Sequence, residues 1–183
     1  MGLYAGDRLG MELPQCGKRL FTIIESDGCF SDGVAVATNC WVGRRAMQVK
    51  DFGKAAATFV DTQLGRSIRI IPSHDERSAT STYAPGGINS WEAYLIGNQN
   101  MPTEMPFYVH EVLLHQSIEE LISRPGAKAV CDVCSEEVIN EREIRYDDRV
   151  LCRSCGGNAY YVRHPEVEIT ADRMAENVVF PQA

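Results

Sequence analysis

Four cysteines near the C-terminal end, Cys131, Cys134, Cys152 and Cys155, follow the pattern C-x2-C-x17-C-x2-C, and this spacing restricts the fold of the segment more than any other feature. Each C-x2-C pair forms a tight knuckle that presents two thiolates to one ion. The intervening SEEVINEREIRYDDRV is long enough to run out and back as a hairpin, with Asp147 and Asp148 at its turn. Two such knuckles brought together make a closed, tetrahedral four-cysteine zinc site with no open position for water. The ion then holds together a segment too small to bury a core of its own.

Seven cysteines are an odd number, and four of them stand in metal-ligand spacing, which argues against a secreted disulfide framework and for a reducing compartment. The opening MGLYAGDRLGMEL carries Asp7 and Arg8 and lacks the basic start and apolar run of a secretory signal. No later stretch approaches ~18 consecutive apolar residues. A cytoplasmic protein without a membrane segment is therefore expected. The net charge of -7 disfavours general affinity for nucleic acid or anionic membrane. The finger shares that balance: between Cys131 and Cys155, seven acidic residues face four arginines, a surface that repels phosphate on average. A structural or protein-docking finger is expected, not a nucleic-acid reader. AYYV, after the last cysteine, offers aromatic surface and is expected to pack against the core.

A chain of 183 residues has room for one domain of ordinary size and a small appended module. The first 124 residues read as an α+β core domain, residues 125–162 as the finger, and 163–183 as a tail that folds back on the core or on a partner. In the core domain the sequence predicts a helix over GLYAGDRLGMEL, a strand at LFTIIE, a helix after Cys29, and strands at RAMQVK, AAATFV and SIRIIP. SHDERSATSTYAPGGINS reads as a polar connection, followed by a helix at SWEAYLIGN with Ser90 as its cap. FYVHEV alternates as an edge strand does. HQSIEELISRPG carries a helix start in the capping-box spacing of Ser117 and Glu120 and a stop in Pro125-Gly126.

Cys29 lies where a strand feeds a helix, in ESDGCFSDGVAVATNC. A thiol at a helix N-terminus is near the positive end of the dipole, which favours the thiolate. Asp32 makes the motif C-x-x-D, so the second thiol of a disulfide exchanger is missing. The residues leave three roles open: metal ligand, lone nucleophile, or a buried cysteine beside a capping aspartate. Cys40 cannot share an ion with Cys29 across such a helix. Nine helical residues separate the backbones by roughly 13 Å, whereas two sulfurs on one zinc stand no more than roughly 4.6 Å apart. Core packing beside Trp41 is its expected place. Cys16 has no evident partner, and His74, His110, His115 and His164 are scattered. GRRAMQVKDFGKAA concentrates Arg44, Arg45, Lys50 and Lys54, either as a pocket for an anionic ligand, with Gly53 allowing close approach, or as a charged strand edge.

ESDGCFSDGVAV, then TNCWVGRRAMQVKDFGKAAATF, and the C-terminal CDVCSEEVINEREI and LCRSCGGNAYY together resemble the E-subunit family of formylmethanofuran dehydrogenase, with likeness from Gly2 to Tyr161. The most specific parts are Cys29 with Asp32, Lys50-Asp51 with Gly53-Lys54, and the cysteine quartet. The resemblance implies a thioredoxin-like α+β core with a mixed sheet and flanking helices, a treble-clef-like zinc finger and a homodimer. It also implies a metal-capable pocket near Cys29. In some members it implies association with the molybdenum or tungsten enzyme that reduces carbon dioxide onto methanofuran, whose catalytic centre is carried by a different polypeptide. The family typically carries H-G-H-x-C-P-G just ahead of the first helix, and MGLYAGDRLG opens where that motif would end. Cys29 and Asp32 are thus expected to be half of a metal site, the other half lying in an upstream in-frame segment or lost.

The expectation is a zinc-containing accessory protein with a structural finger and a pocket in which Cys29 is ligand or nucleophile and Asp32 ligand or base, with Lys50 and Lys54 holding an anion. The alternative is a non-enzymatic regulatory or interaction module whose finger docks a protein or nucleic acid.

Overall fold

The computed structural model describes residues 1–122 and 126–162. The expected stop at Pro125 and the tail at 163–183 therefore lie outside the described residues. The chain divides into two compact units, Met1–Ser123 and Arg124–Ala183.

In the first unit, helix α1 (Gly2–Leu9) precedes strand β1 (Leu20–Ile24), helix α2 (Cys29–Thr38) and strands β2 (Met47–Val49), β3 (Ala57–Asp61) and β4 (Arg66–Pro72). Helix α3 (Glu76–Thr80), a 3-10 turn (Ser81–Tyr83) and helix α4 (Ser90–Asn100) follow, then strand β5 (Phe107–Glu111) and the one-turn helix α5 (Ile118–Leu121). The strands form one mixed sheet in the order β2-β1-β3-β4-β5, parallel only between β1 and β2. The two parallel strands are joined through α2, as parallel neighbours require a crossover.

Every residue of β1 and of β3 is buried, so LFTII and ATFVD read as continuous rather than alternating runs, the pattern of strands covered on both faces. On one face Leu20, Ile24, Phe59, Ile68 and Ile70 pack under Ala5 and Leu9 of α1 and Val34 and Ala35 of α2. On the other, Phe21, Ile23 and Val60 pack against Leu121, with Leu114, Ile118 and Ile122 beside it. Each large side chain buried in this way contributes roughly 1.5–3 kcal/mol.

Several boundaries differ from the sequence reading. The first helix stops at Leu9 because Gly10 turns left-handed, its N–H donating to Asp7 O and that of Met11 to Gly6 O. The polar connection after β4 holds α3 and the 3-10 turn, which its composition hides. The cap of α4 is Asn89, whose Oδ1 accepts from the N–H groups of Trp91 and Glu92, and Ser90 is the first helical residue. Ser117 does cap α5, accepting from Glu120 N–H at 3.2 Å, but only one turn follows.

The second unit pairs strands β6 (Lys128–Val130) and β7 (Glu137–Ile139) in one hairpin and β8 (Ile144–Tyr146) and β9 (Arg149–Leu151) in another, ahead of a helical turn at Ser154–Asn158. Two hairpins replace the single one expected. Asp147 and Asp148 do form the turn of the second, with Asp147 at φ 50°.

Candidate functional site

Cys131 and Cys134 occupy the turn of the β6-β7 hairpin, and Cys152 and Cys155 follow β9 into the helical turn. The two knuckles are built alike. Cys131 O accepts from Ser135 N–H at 2.9 Å, and Cys152 O from Gly156 N–H at 2.9 Å. Cys155 N–H points at Cys152 Sγ, 3.4 Å away. The left-handed backbone that each knuckle needs falls at Ser135 and at Gly157, where φ is 61° and 91°. Asp132 locks the first knuckle to β9, its N–H donating to Val150 O at 2.8 Å and its Oδ2 accepting from Val150 N–H at 2.6 Å.

All four sulfurs lie within 4.8 Å of one another, and Cys134 and Cys152 stand 3.8 Å apart. A tetrahedral ion with metal–sulfur bonds of ~2.3 Å spaces its sulfurs roughly 3.8 Å apart. The donor set therefore fits one metal ion closed on all sides by protein. Backbone N–H groups of Cys134 and Cys152 aim at Cys131 and pull its thiol down to about 6. Hydrogen bonding to Cys152, with burial and the other neighbouring sulfurs, pushes Cys155 up to about 12. One thiolate is thus favoured in advance, and the remaining protons leave when the metal enters. Among the described residues this is the only gathering of three or more metal-ligating side chains.

Cys29 is the first residue of α2 and is exposed, which removes its reading as a buried cysteine. The turn into it is made by Gly28 at φ 78° and ψ -158°, a backbone conformation open to glycine alone. Asp32, also exposed, sits one turn on, its N–H reaching Gly28 O at 3.3 Å. The loop after β2 comes to the same place. Lys50 N–H donates to Ile24 O, and Phe52 and Lys54 N–H both donate to Glu25 O. Cys29, Asp32, Lys50 and Lys54 consequently all belong to the carboxyl end of the parallel β1-β2 pair, the end where open α/β sheets hold ligands.

The basic cluster does not stay together. Arg44 precedes β2 and donates to Cys16 O at 2.7 Å, at the amino end of the pair, while Lys50 follows β2 and donates from Nζ to Gln116 Oε1 at 2.7 Å. An intervening strand separates residues near in sequence. Cys40 is in the core, with Sγ 3.4 Å from Leu20 O, but Trp41 is exposed and binds Asn39 instead. Tyr160 and Val162 are almost fully exposed, so AYYV is not the packed segment expected.

Two ion pairs escaped the sequence reading. Glu25 meets Arg69 of β4 through both oxygens, Oε2 to Nη2 at 2.7 Å. Asp61, fully buried, takes Arg19 and the N–H groups of Gln63 and Leu64. The Arg69 hydrogen bonds hold Glu25 below the usual carboxylate range, against the effect of burial, and the Lys54 charge adds to this. For Asp61 burial is the largest influence and works upward, but Arg19 and the two N–H groups together outweigh it. Each pair joins residues more than forty positions apart, and only the β1-β3-β4 pairing brings them within reach.

No helix among the described residues is long and apolar enough to cross a membrane. The chain is 33% identical over 73 residues to a probable S-adenosyl-L-methionine-binding protein of Archaeoglobus fulgidus, a match covering 38% of this chain and 20% of that protein. It thus spans about a fifth of the length of that curated relative. Among solved structures it is similar to an FmdE-like protein of a tungsten formylmethanofuran dehydrogenase from Syntrophus aciditrophicus, with a TM-score of 0.48 and 20% identity over 78% of this chain and 74% of the other. The model of the family FmdE, described as molybdenum formylmethanofuran dehydrogenase operon, matches residues 1–105, more than half of the 183. The chain belongs to the FmdE family.

Proposed function

We propose that this is a zinc-containing accessory protein that works beside a molybdenum or tungsten formylmethanofuran dehydrogenase and does not itself carry the reduction. The observation behind it is the quartet of sulfurs, spaced for one tetrahedral ion, in a chain of the FmdE family. Soft thiolates in a closed tetrahedron favour zinc, which needs no open position to act as a structural clamp. In this reading Cys29 is a ligand or nucleophile and Asp32 a ligand or base, with Lys50 and Lys54 attracting an anion to the carboxyl end of β1 and β2. A thioredoxin-like kinship of the core, a homodimer and a cytoplasmic location belong to the same reading, and rest on the family resemblance.

The test is to mix the purified chain with purified formylmethanofuran dehydrogenase and follow both by size-exclusion chromatography with light scattering. The reading expects the chain alone at twice its 20.3 kDa mass and, in the mixture, co-elution with the enzyme. Separate elution at micromolar concentrations would refute the partnership. Elemental analysis of the same fractions separates zinc from iron.

A further inference from the structure

We propose that the cleft between α4 and the 3-10 turn binds a planar, uncharged heteroaromatic ring of the nucleobase class. The cleft follows from one close contact. A Cβ built on Gly97 would stand 2.1 Å from Thr80 O, so only glycine lets α4 press its C-terminal half onto the end of α3. Toward its N-terminus, α4 leaves a cavity of about 520 Å³ lined by Thr80, Ser81, Ser90, Trp91, Ala93 and Tyr94. That volume is within the range of small-molecule sites, about 300–1,000 Å³.

The lining selects the ligand. Trp91 and Tyr94 stand three residues apart on α4, which places both rings on one side of the helix. Trp91 is 68% exposed, an unusual place for the largest apolar side chain unless something stacks on it. Every described residue of the lining is uncharged, so neither a phosphate nor an ammonium group finds its counter-charge there. Hydroxyls supply the polar complement. Ser81 donates to Ser78 O at 2.8 Å and keeps its lone pairs for an incoming N–H, while the Ser90 hydroxyl has no hydrogen-bond partner among the described residues. A flat ring with donors and acceptors on its edge meets all of these conditions, as bases do when they stack on aromatic side chains.

The chain has two tryptophans, Trp41 and Trp91, so Trp41→Phe makes Trp91 the sole fluorescent reporter. Adenosine titrated into that variant to millimolar concentration is expected to quench it along a saturating curve, with ribose inert and adenosine monophosphate no tighter. Adding Ala93→Phe, which fills the cleft, should abolish saturation while far-ultraviolet circular dichroism is unchanged. Should that variant not fold, Tyr94→Ala serves in its place and should weaken binding about tenfold. Linear quenching by adenosine, tighter binding of the monophosphate, or a saturation curve that the folded cleft variant leaves intact would overturn the assignment.

Discussion

Glu25 shows how much a single side chain contributes at a distance from any metal. Its carboxylate accepts a two-pronged bond from Arg69 while its backbone O takes the N–H groups of Phe52 and Lys54, so one residue ties β1 to β4 and to the loop after β2. Glu25→Gln leaves the half-buried Arg69 with a weaker partner and should cost about 1–3 kcal/mol at neutral pH. The pH dependence has a definite sign. A carboxyl held below its usual range in the folded chain contributes fully above the unfolded value, near pH 4.5, and progressively less as pH falls through the folded value. Urea melts of both proteins across pH 3 to 7 should therefore show a stability gap that narrows on the acid side of about pH 4.5. A gap that is constant with pH would contradict this role. Such pairs were not legible in the sequence, because a single chain does not show which strands are neighbours. The cysteine knuckles were legible because their ligands are local: two residues separate the members of each pair, and a turn of fixed shape does the rest.

Helix α4 is the element whose behaviour follows most directly from packing. It is apolar around much of its surface, and its one fully buried residue is Gly97. Alanine there would gain helix propensity of up to about 1 kcal/mol, but its methyl would meet a backbone carbonyl that has no rotamer to move. The net effect of Gly97→Ala should be a loss of about 1–3 kcal/mol, read by chemical denaturation together with a shift in Trp91 emission. A stabilised variant would show that the helix is not seated as described. Asn89→Ala removes the acceptor for two N–H groups and should cost about 1 kcal/mol, measured in the same way. The elements most easily read were those with strong patterns, LFTIIE and the β3-β4 hairpin at Gly65. Segment 76–83 was read as a connection because its helical turns are stabilised by contacts with α4 rather than by apolar periodicity of their own, and the HQSIEELI helix came out at one turn for want of further packing.

At the scale of the molecule, the two units rest on different forces. The first buries a continuous core on both faces of a five-stranded sheet. The second has two three-residue hairpins and a single turn of helix, with Cys131 among its few buried residues, so its order depends on the ion. A chelator should therefore abolish hydrogen-exchange protection across β6 to β9 while β1, β3 and β4 stay protected. Equal protection in both units after complete metal removal would show that the finger folds unaided. The central claim is that Cys131, Cys134, Cys152 and Cys155 bind one ion, and native mass spectrometry tests it most directly by comparing the parent chain with Cys152→Ser. The account predicts one zinc per parent chain and none on the variant. Full zinc retention by Cys152→Ser would contradict it.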